Sequence, residues 1–100
     1  MIILTQLVYV HPGKERAFDE FEALAIPLIA RHRGHLMLRI RPTQESVVVS
    51  KVEVPYEIHV VRFESDDDFT RFAANPERRE FLHLRDESVR ATLRVKGTEI

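Results

Sequence analysis

The chain has 100 residues, of which 44% are hydrophobic and 31% charged, with a formal net charge of −1 and no cysteine. One domain of this length buries roughly 60–70% of its unfolded surface; its near-neutral charge gives no attraction to nucleic acid or an anionic membrane, and without cysteine there is no disulfide or thiolate chemistry. No apolar run approaches the ~20 residues that cross a bilayer, and Met1-Ile2-Ile3-Leu4 carries neither a basic n-region nor a small-residue cleavage site, so the expectation is a soluble cytoplasmic protein.

Ile2 to Val10 is apolar or β-prone on both alternating faces, interrupted by Thr5 and Gln6, which predicts a central strand covered on both sides. His11-Pro12-Gly13 breaks it, and Pro12 suits a helix start because the N–H it lacks would be unpaired there. From Lys14 onward, Ala17, Phe18, Phe21, Leu24, Ala25, Leu28 and Ile29 recur at spacings of three and four. Glu15, Arg16, Asp19, Glu20 and Glu22 are then left for the far side of an amphipathic helix. Pro27 inside that helix predicts a kink or irregular turn. Arg31, His32 and Arg33 complement the negative helix end, and Gly34 is expected in the left-handed position that closes it.

His35 to Arg41 alternates, with Leu36, Leu38 and Ile40 assigned to one face and His35, Met37, Arg39 and Arg41 to the other, as in an edge strand. Pro42 to Ser46 is turn-rich, and Val47 to Val52 either extends the strand past a bulge or forms a short hairpin of its own. After Pro55, Tyr56 to Glu64 reads as a second doubly covered strand around Val60, Val61 and Phe63. It feeds directly into a helix: Ser65 can cap it, Asp66, Asp67 and Asp68 meet the positive end of its dipole, and Ser65 with Asp68 has capping-box spacing. That helix runs from Asp66 to about Ala74. Asn75-Pro76 then caps and restarts a helical piece through roughly Val89, with Phe81, Leu84 and Ser88 on one face. Ala91, Leu93 and Val95 alternate with Thr92, Arg94 and Lys96 in a last, edge-like strand.

The order β-α-β-β-α-β, its second helix broken in two, implies an α+β domain of the split βαβ type. Both helices lie on one face of an antiparallel sheet whose inner strands are the first and third. Helices cover only one face, so the apolar residues of the other need a cover, and a second copy of the same sheet is the simplest one. A homodimer formed sheet to sheet is the expectation.

Pro55 through Phe63, the Phe63-Glu64-Ser65 entry into the helix, and Phe72-Ala73-Ala74-Asn75-Pro76-Glu77 followed by a helix with Phe81 and Leu84 resemble the dimeric α/β-barrel superfamily of ferredoxin-like proteins. That superfamily includes antibiotic-biosynthesis monooxygenase-like and EthD-like members, and more narrowly the chain looks like domain-of-unknown-function family DUF1330. The resemblance spans the chain in element order and implies a homodimeric barrel. If the protein is catalytic, it implies cofactor-independent oxidation or isomerisation, and no cofactor. No catalytic set of the superfamily aligns onto this chain, which has no Trp.

Among residues that could carry chemistry, His59 stands mid-strand with Glu57 two positions earlier on the same face and Val61 and Phe63 continuing it. If Phe63 points at the helices, His59 and Glu57 face the sheet–helix cleft, where His59 could act as acid, base or ligand anchor. The plainer reading is a His and Glu paired with Arg39 or the backbone. Arg39 and Arg41, joined by Arg62, could clamp an anionic group, or could serve as a charged strand face that discourages edge pairing. Tyr9 and His11 at the end of the first strand could line the cleft mouth, or be amphipathic surface residues. The only close histidine pair, His32 and His35, straddles Gly34 without a third ligand nearby, so no metal site is expected. Arg78-Arg79 beside Glu77 and Glu80 reads as a solvated helix face. Two functions remain: a small homodimer that holds a small, partly apolar organic molecule in the cleft, with His59 catalytic and Glu57, Arg39 and Tyr9 contacting the ligand; or a non-enzymatic binding or assembly module whose polar strand residues serve the dimer interface.

Overall fold

The computed structural model describes every residue from Met1 to Ile100. Four strands, β1 (Ile2–Val10), β2 (Gly34–Ile40), β3 (Glu57–Phe63) and β4 (Val89–Thr98), form one antiparallel sheet in the order β2-β3-β1-β4. The two strands that lack alternation are indeed the inner ones. Helix α1 (Glu15–Arg31) connects β1 to β2, and three short helices, α2 (Asp66–Ala73), α3 (Pro76–Glu80) and α4 (Leu82–Ser88), connect β3 to β4.

In the β1–β3 register Ile2 lies opposite Phe63, Gln6 opposite His59 and Val8 opposite Glu57. Ile2, Leu4, Gln6 and Val8 therefore share one sheet face with Glu57, His59, Val61 and Phe63. This face takes the helices: Ile2, Leu4, Ile29 and Phe63 form the buried core, with Ile26, Val61, Phe69 and Phe72 packed against it. The opposite face carries Ile3, Thr5, Leu7, Ile58 and Val60, with Leu93 of β4 opposite Leu7 and Val95 opposite Thr5. No element of the chain packs over it, and the molecule is a slab only 16 Å thick.

The β3–α2 junction forms as its residues dictate. The Ser65 hydroxyl accepts from the Asp68 N–H at 3.2 Å and donates to Asp68 Oδ2 at 2.9 Å, closing the first turn of α2. Asn75 Oδ1 likewise accepts from the N–H groups of Glu77 and Arg78 at 2.8 and 3.2 Å and starts α3 at Pro76. The helical piece after Pro76 is not continuous; it breaks at Phe81 and resumes as α4. Helix α1 starts at Glu15, after a turn in which Gly13 takes φ 87°, and continues through Pro27 to Arg31, so the proline does not end it.

Other expectations are corrected. The left-handed residue after α1 is Arg33, at φ 59°, and Gly34 opens β2. What requires glycine there is space, because a Cβ on Gly34 would stand 2.6 Å from both Ile29 Cγ2 and Phe63 Cε1. The alternation in β2 is interrupted by a bulge: Leu36 opposes Val61, yet Leu38 opposes Val60 and Arg39 opposes His59. Met37 is the extra residue, so Leu36 and Arg39 face the helices while Leu38 and Ile40 turn to the open face. Val47 to Val52 neither extends β2 nor forms a hairpin. A 3-10 turn at Gln44–Ser46, closed by reciprocal Thr43–Ser46 bonds, leads into irregular chain in which Val48, Val49 and Val52 are exposed.

Candidate functional site

The site is built on β3. Glu57, with no exposed surface, accepts at Oε1 from Arg41 Nε at 2.8 Å and at Oε2 from Arg39 Nε at 2.9 Å, and Oε2 also meets His59 Nε2. The bulge at Met37 brings both arginines over Glu57, on the helix face. Burial alone would raise the Glu57 pKa, but the hydrogen bonds from His59, Arg39 and Arg41 outweigh it and hold the carboxyl at about 2. Glu57 is therefore a permanent anion at the back of the site. Arg41 is held in turn by Asp19 at 2.6 Å and by the face of Tyr56 at 4.9 Å.

His59 is 6% exposed, and its ring stacks on Phe18 with centroids 6.5 Å apart and planes 18° apart. Its Nε2 is taken by Glu57, which leaves Nδ1 as the other nitrogen. The imidazole lines a cavity of about 80 Å³ between sheet and helices. Phe21, Ile26 and Phe72 are among its apolar walls, and Gln6, Glu22, Arg78 and Arg85 are its other polar ones.

Three of these polar residues were not legible as site residues. The sequence pattern puts Glu22 on the solvent side of α1, but it is buried in the cavity wall. Burial pushes its carboxyl upward; Glu57 adds to that, and His59 opposes it. Its spacing carried a signal: four residues after Phe18 and three before Ala25, it stands in the middle of the apolar stripe. Arg78, read as part of a solvated face, lies with its guanidinium over the rings of Phe21 and Phe72 at 5.6 and 5.2 Å. Arg85 enters from α4.

The carboxyl pKa values of Glu22 and Glu57 are thus driven in opposite directions within one site, the divergence by which neighbouring carboxyls come to take different acid–base roles. The cavity is smaller than the roughly 300–1,000 Å³ of ordinary small-molecule pockets. No group of three or more His, Asp or Glu side chains is placed to hold a metal ion.

No protein-family model and no curated protein matches the chain. Solved structures do. The protein RPA0582 from Rhodopseudomonas palustris aligns over 99% of this chain and 82% of its own, with a TM-score of 0.82 at 15% identity. A protein from Nitrosomonas europaea, named as a candidate antibiotic biosynthesis monooxygenase, aligns over 100% and 99% with a TM-score of 0.74 at 11% identity. A DABB-family protein from Mesorhizobium loti, described as having a ferredoxin-like fold, aligns over 99% and 96% with a TM-score of 0.67 at 16% identity. The fold is ferredoxin-like. At these identities the similarity speaks for shape alone.

Within this ferredoxin-like frame Glu57 and His59 meet as their spacing suggested, Arg39 joins them only through the bulge at Met37, and Tyr9 and Arg62 do not join them. Tyr9 alternates with Val8 and so lies on the open sheet face, where its hydroxyl donates to the Glu53 carbonyl at 3.1 Å and Arg90 sits over its ring. Arg62 is also on that face, 3.2 Å from Glu99. His32 is bonded to Asn75 at 2.9 Å, while His35 stands opposite Arg62 in the sheet. No helix of the chain is long and apolar enough to cross a membrane.

Proposed function

We propose that this is a homodimeric protein of the dimeric α/β-barrel type, similar to the DUF1330 family, which holds a small organic molecule in the sheet–helix cavity and transfers protons there. The observation that carries this reading is the His59 imidazole in the cavity wall, with an ionised Glu57 fixed behind it and a carboxyl of raised pKa, Glu22, on the same cavity. Glu57 orients His59 through its Nε2, His59 is the acid or base, and Glu22 is the second proton carrier. Isomerisation needs no more than this. A cofactor-independent oxidation, the direction suggested by the candidate monooxygenase from Nitrosomonas europaea, would begin with the same deprotonation and use dioxygen as oxidant.

The dimer is supported by the uncovered face. Only 15 of 100 residues are buried in the single chain, and Leu38, Ile40, Leu93 and Val95 are 43–59% exposed on one side of the sheet. A second sheet would cover them.

The competing reading, a non-enzymatic assembly module, draws on the completeness of the Glu57 cluster, in which both carboxylate oxygens are already bonded. A screen of small organic molecules followed in the His59 imidazole resonances separates the two. Saturable shifts at His59 that disappear in Ala25→Leu, which fills the cavity wall, are expected. A silent His59 across the screen, together with loss of the dimer in His59→Ala, would leave the assembly module.

A further inference from the structure

The charge of the cavity does not balance within the chain. Arg78 and Arg85 both line it, and neither pairs with any carboxylate of the fold. Arg78 is placed by the chain before it: the Asn75 side chain accepts its N–H, and Asn75 Nδ2, 2.9 Å from His32 Nε2, ties this turn to the end of α1. The guanidinium then lies over the rings of Phe21 and Phe72. One terminal nitrogen reaches the Ala73 carbonyl at 3.3 Å, while Nε is buried without a hydrogen-bond partner.

An unpaired buried donor is costly, more so when it is charged, and no group of the chain satisfies this one. Burial and the neighbouring Arg85 both disfavour the charge on Arg78, and Glu22 only partly offsets them. Glu22 is a poor counterion, because its own burial favours the neutral acid. Arg39, which the sequence offered as the anion clamp, is engaged with Glu57 through its Nε.

We infer that Arg78 and Arg85 are the carboxylate-binding end of the cavity, and that its occupant is a small organic acid whose carbon chain lies along Phe21, Ile26 and Phe72 and ends near His59. This rests on the reading of the cleft as a small-molecule site. A guanidinium recognises a carboxylate through paired, charge-assisted hydrogen bonds, and the apolar remainder of the lining suits a short alkyl tail. Size narrows the class: a cavity of about 80 Å³ has roughly five to eight positions for non-hydrogen atoms if each water-sized position takes about 10–15 Å³, the size of butanoate.

The test is an NMR titration of the full chain at pH 7 and constant ionic strength, with butanoate and with its neutral isostere butanamide, following the His59 imidazole and the Arg78 and Arg85 Nε–H signals. Butanoate is expected to bind at least ten-fold tighter than butanamide, and Arg78→Gln and Arg85→Gln should each remove that preference. Equal binding of the two compounds with shifts at His59, or a preference that survives both substitutions, would overturn the carboxylate assignment and leave the cleft reading standing. No shift at His59 with either compound would overturn both. If Arg78→Gln fails to fold, Arg85→Gln and the comparison on the unmodified chain decide the question.

Discussion

Replacing Glu57 by Gln keeps the shape of a side chain that solvent does not reach and removes the charge that Arg39, Arg41 and His59 share. Removing one partner of a buried ion pair typically costs ~3–5 kcal/mol. Here the Arg39 and Arg41 side chains remain 32% and 47% exposed and can be rehydrated, so the expected loss is nearer to about 2–3 kcal/mol. The pH dependence gives an independent figure. A carboxyl that ionises at about 2 in the fold and at its ordinary 4.5 when unfolded contributes at most about 3 kcal/mol. Its folded pKa is depressed, so this contribution is complete above pH 4.5 and is lost as pH falls from there toward 2. Urea unfolding at fixed protein concentration, with unchanged slope, measures both. Wild type should exceed Glu57→Gln by about 2–3 kcal/mol at pH 7, with the gap closing between pH 4.5 and 2. A gap below about 0.5 kcal/mol, within the range of an ordinary surface substitution, or a gap that does not change with pH, would refute the ion cluster as a source of stability.

Glu22 should behave in the opposite sense. Its folded pKa is raised by burial, so the ionised form costs stability as pH rises above its ordinary 4.5; Glu22→Gln is expected to be more stable than wild type at pH 7 and equal to it below pH 4.5, as read by the same unfolding series. Gly34→Ala would force a Cβ to 2.6 Å from Ile29 and Phe63 and should lower stability by about 1–3 kcal/mol, whereas Arg33→Gly, which relieves the positive φ, should be neutral or stabilising by up to ~1 kcal/mol; thermal melts of the two variants check the pair. Leu93, 54% exposed and opposite Leu7 in the middle of the open face, is the position at which a charge should block sheet-to-sheet pairing. Leu93→Arg is expected to sediment as a monomer with its secondary structure intact, and an unchanged dimer would place the contact elsewhere.

The features that could be read from sequence are those set by local chemistry. Two strands without alternation had to be inner strands, Ser65 with Asp68 had to begin a helix, and once Phe63 faced the core the period of two carried Glu57 and His59 inward with it. What escaped depends on tertiary position. One extra residue at Met37 reverses the faces of Leu38 to Arg41, and nothing in the alternating pattern before and after it records the insertion. Residue type alone sends Glu22 and Arg78 to solvent. Yet Glu22 lies in the middle of the apolar stripe, and Arg78 lies over the rings of two phenylalanines far apart in sequence. The glycine after α1 was explained by the commonest reason for a glycine there, while the fold uses its lack of a side chain against Phe63.

A crystal structure of the protein purified without added ligand is the most direct measurement of whether the sheet–helix cavity is a binding site. The expected result is an open cavity, or density of about butanoate size, in contact with His59 and Arg78, with Glu57 bonded behind the imidazole. A cavity closed by Phe21, Phe72 and Arg78 packed onto His59, leaving no room for an occupant, would contradict the proposed function.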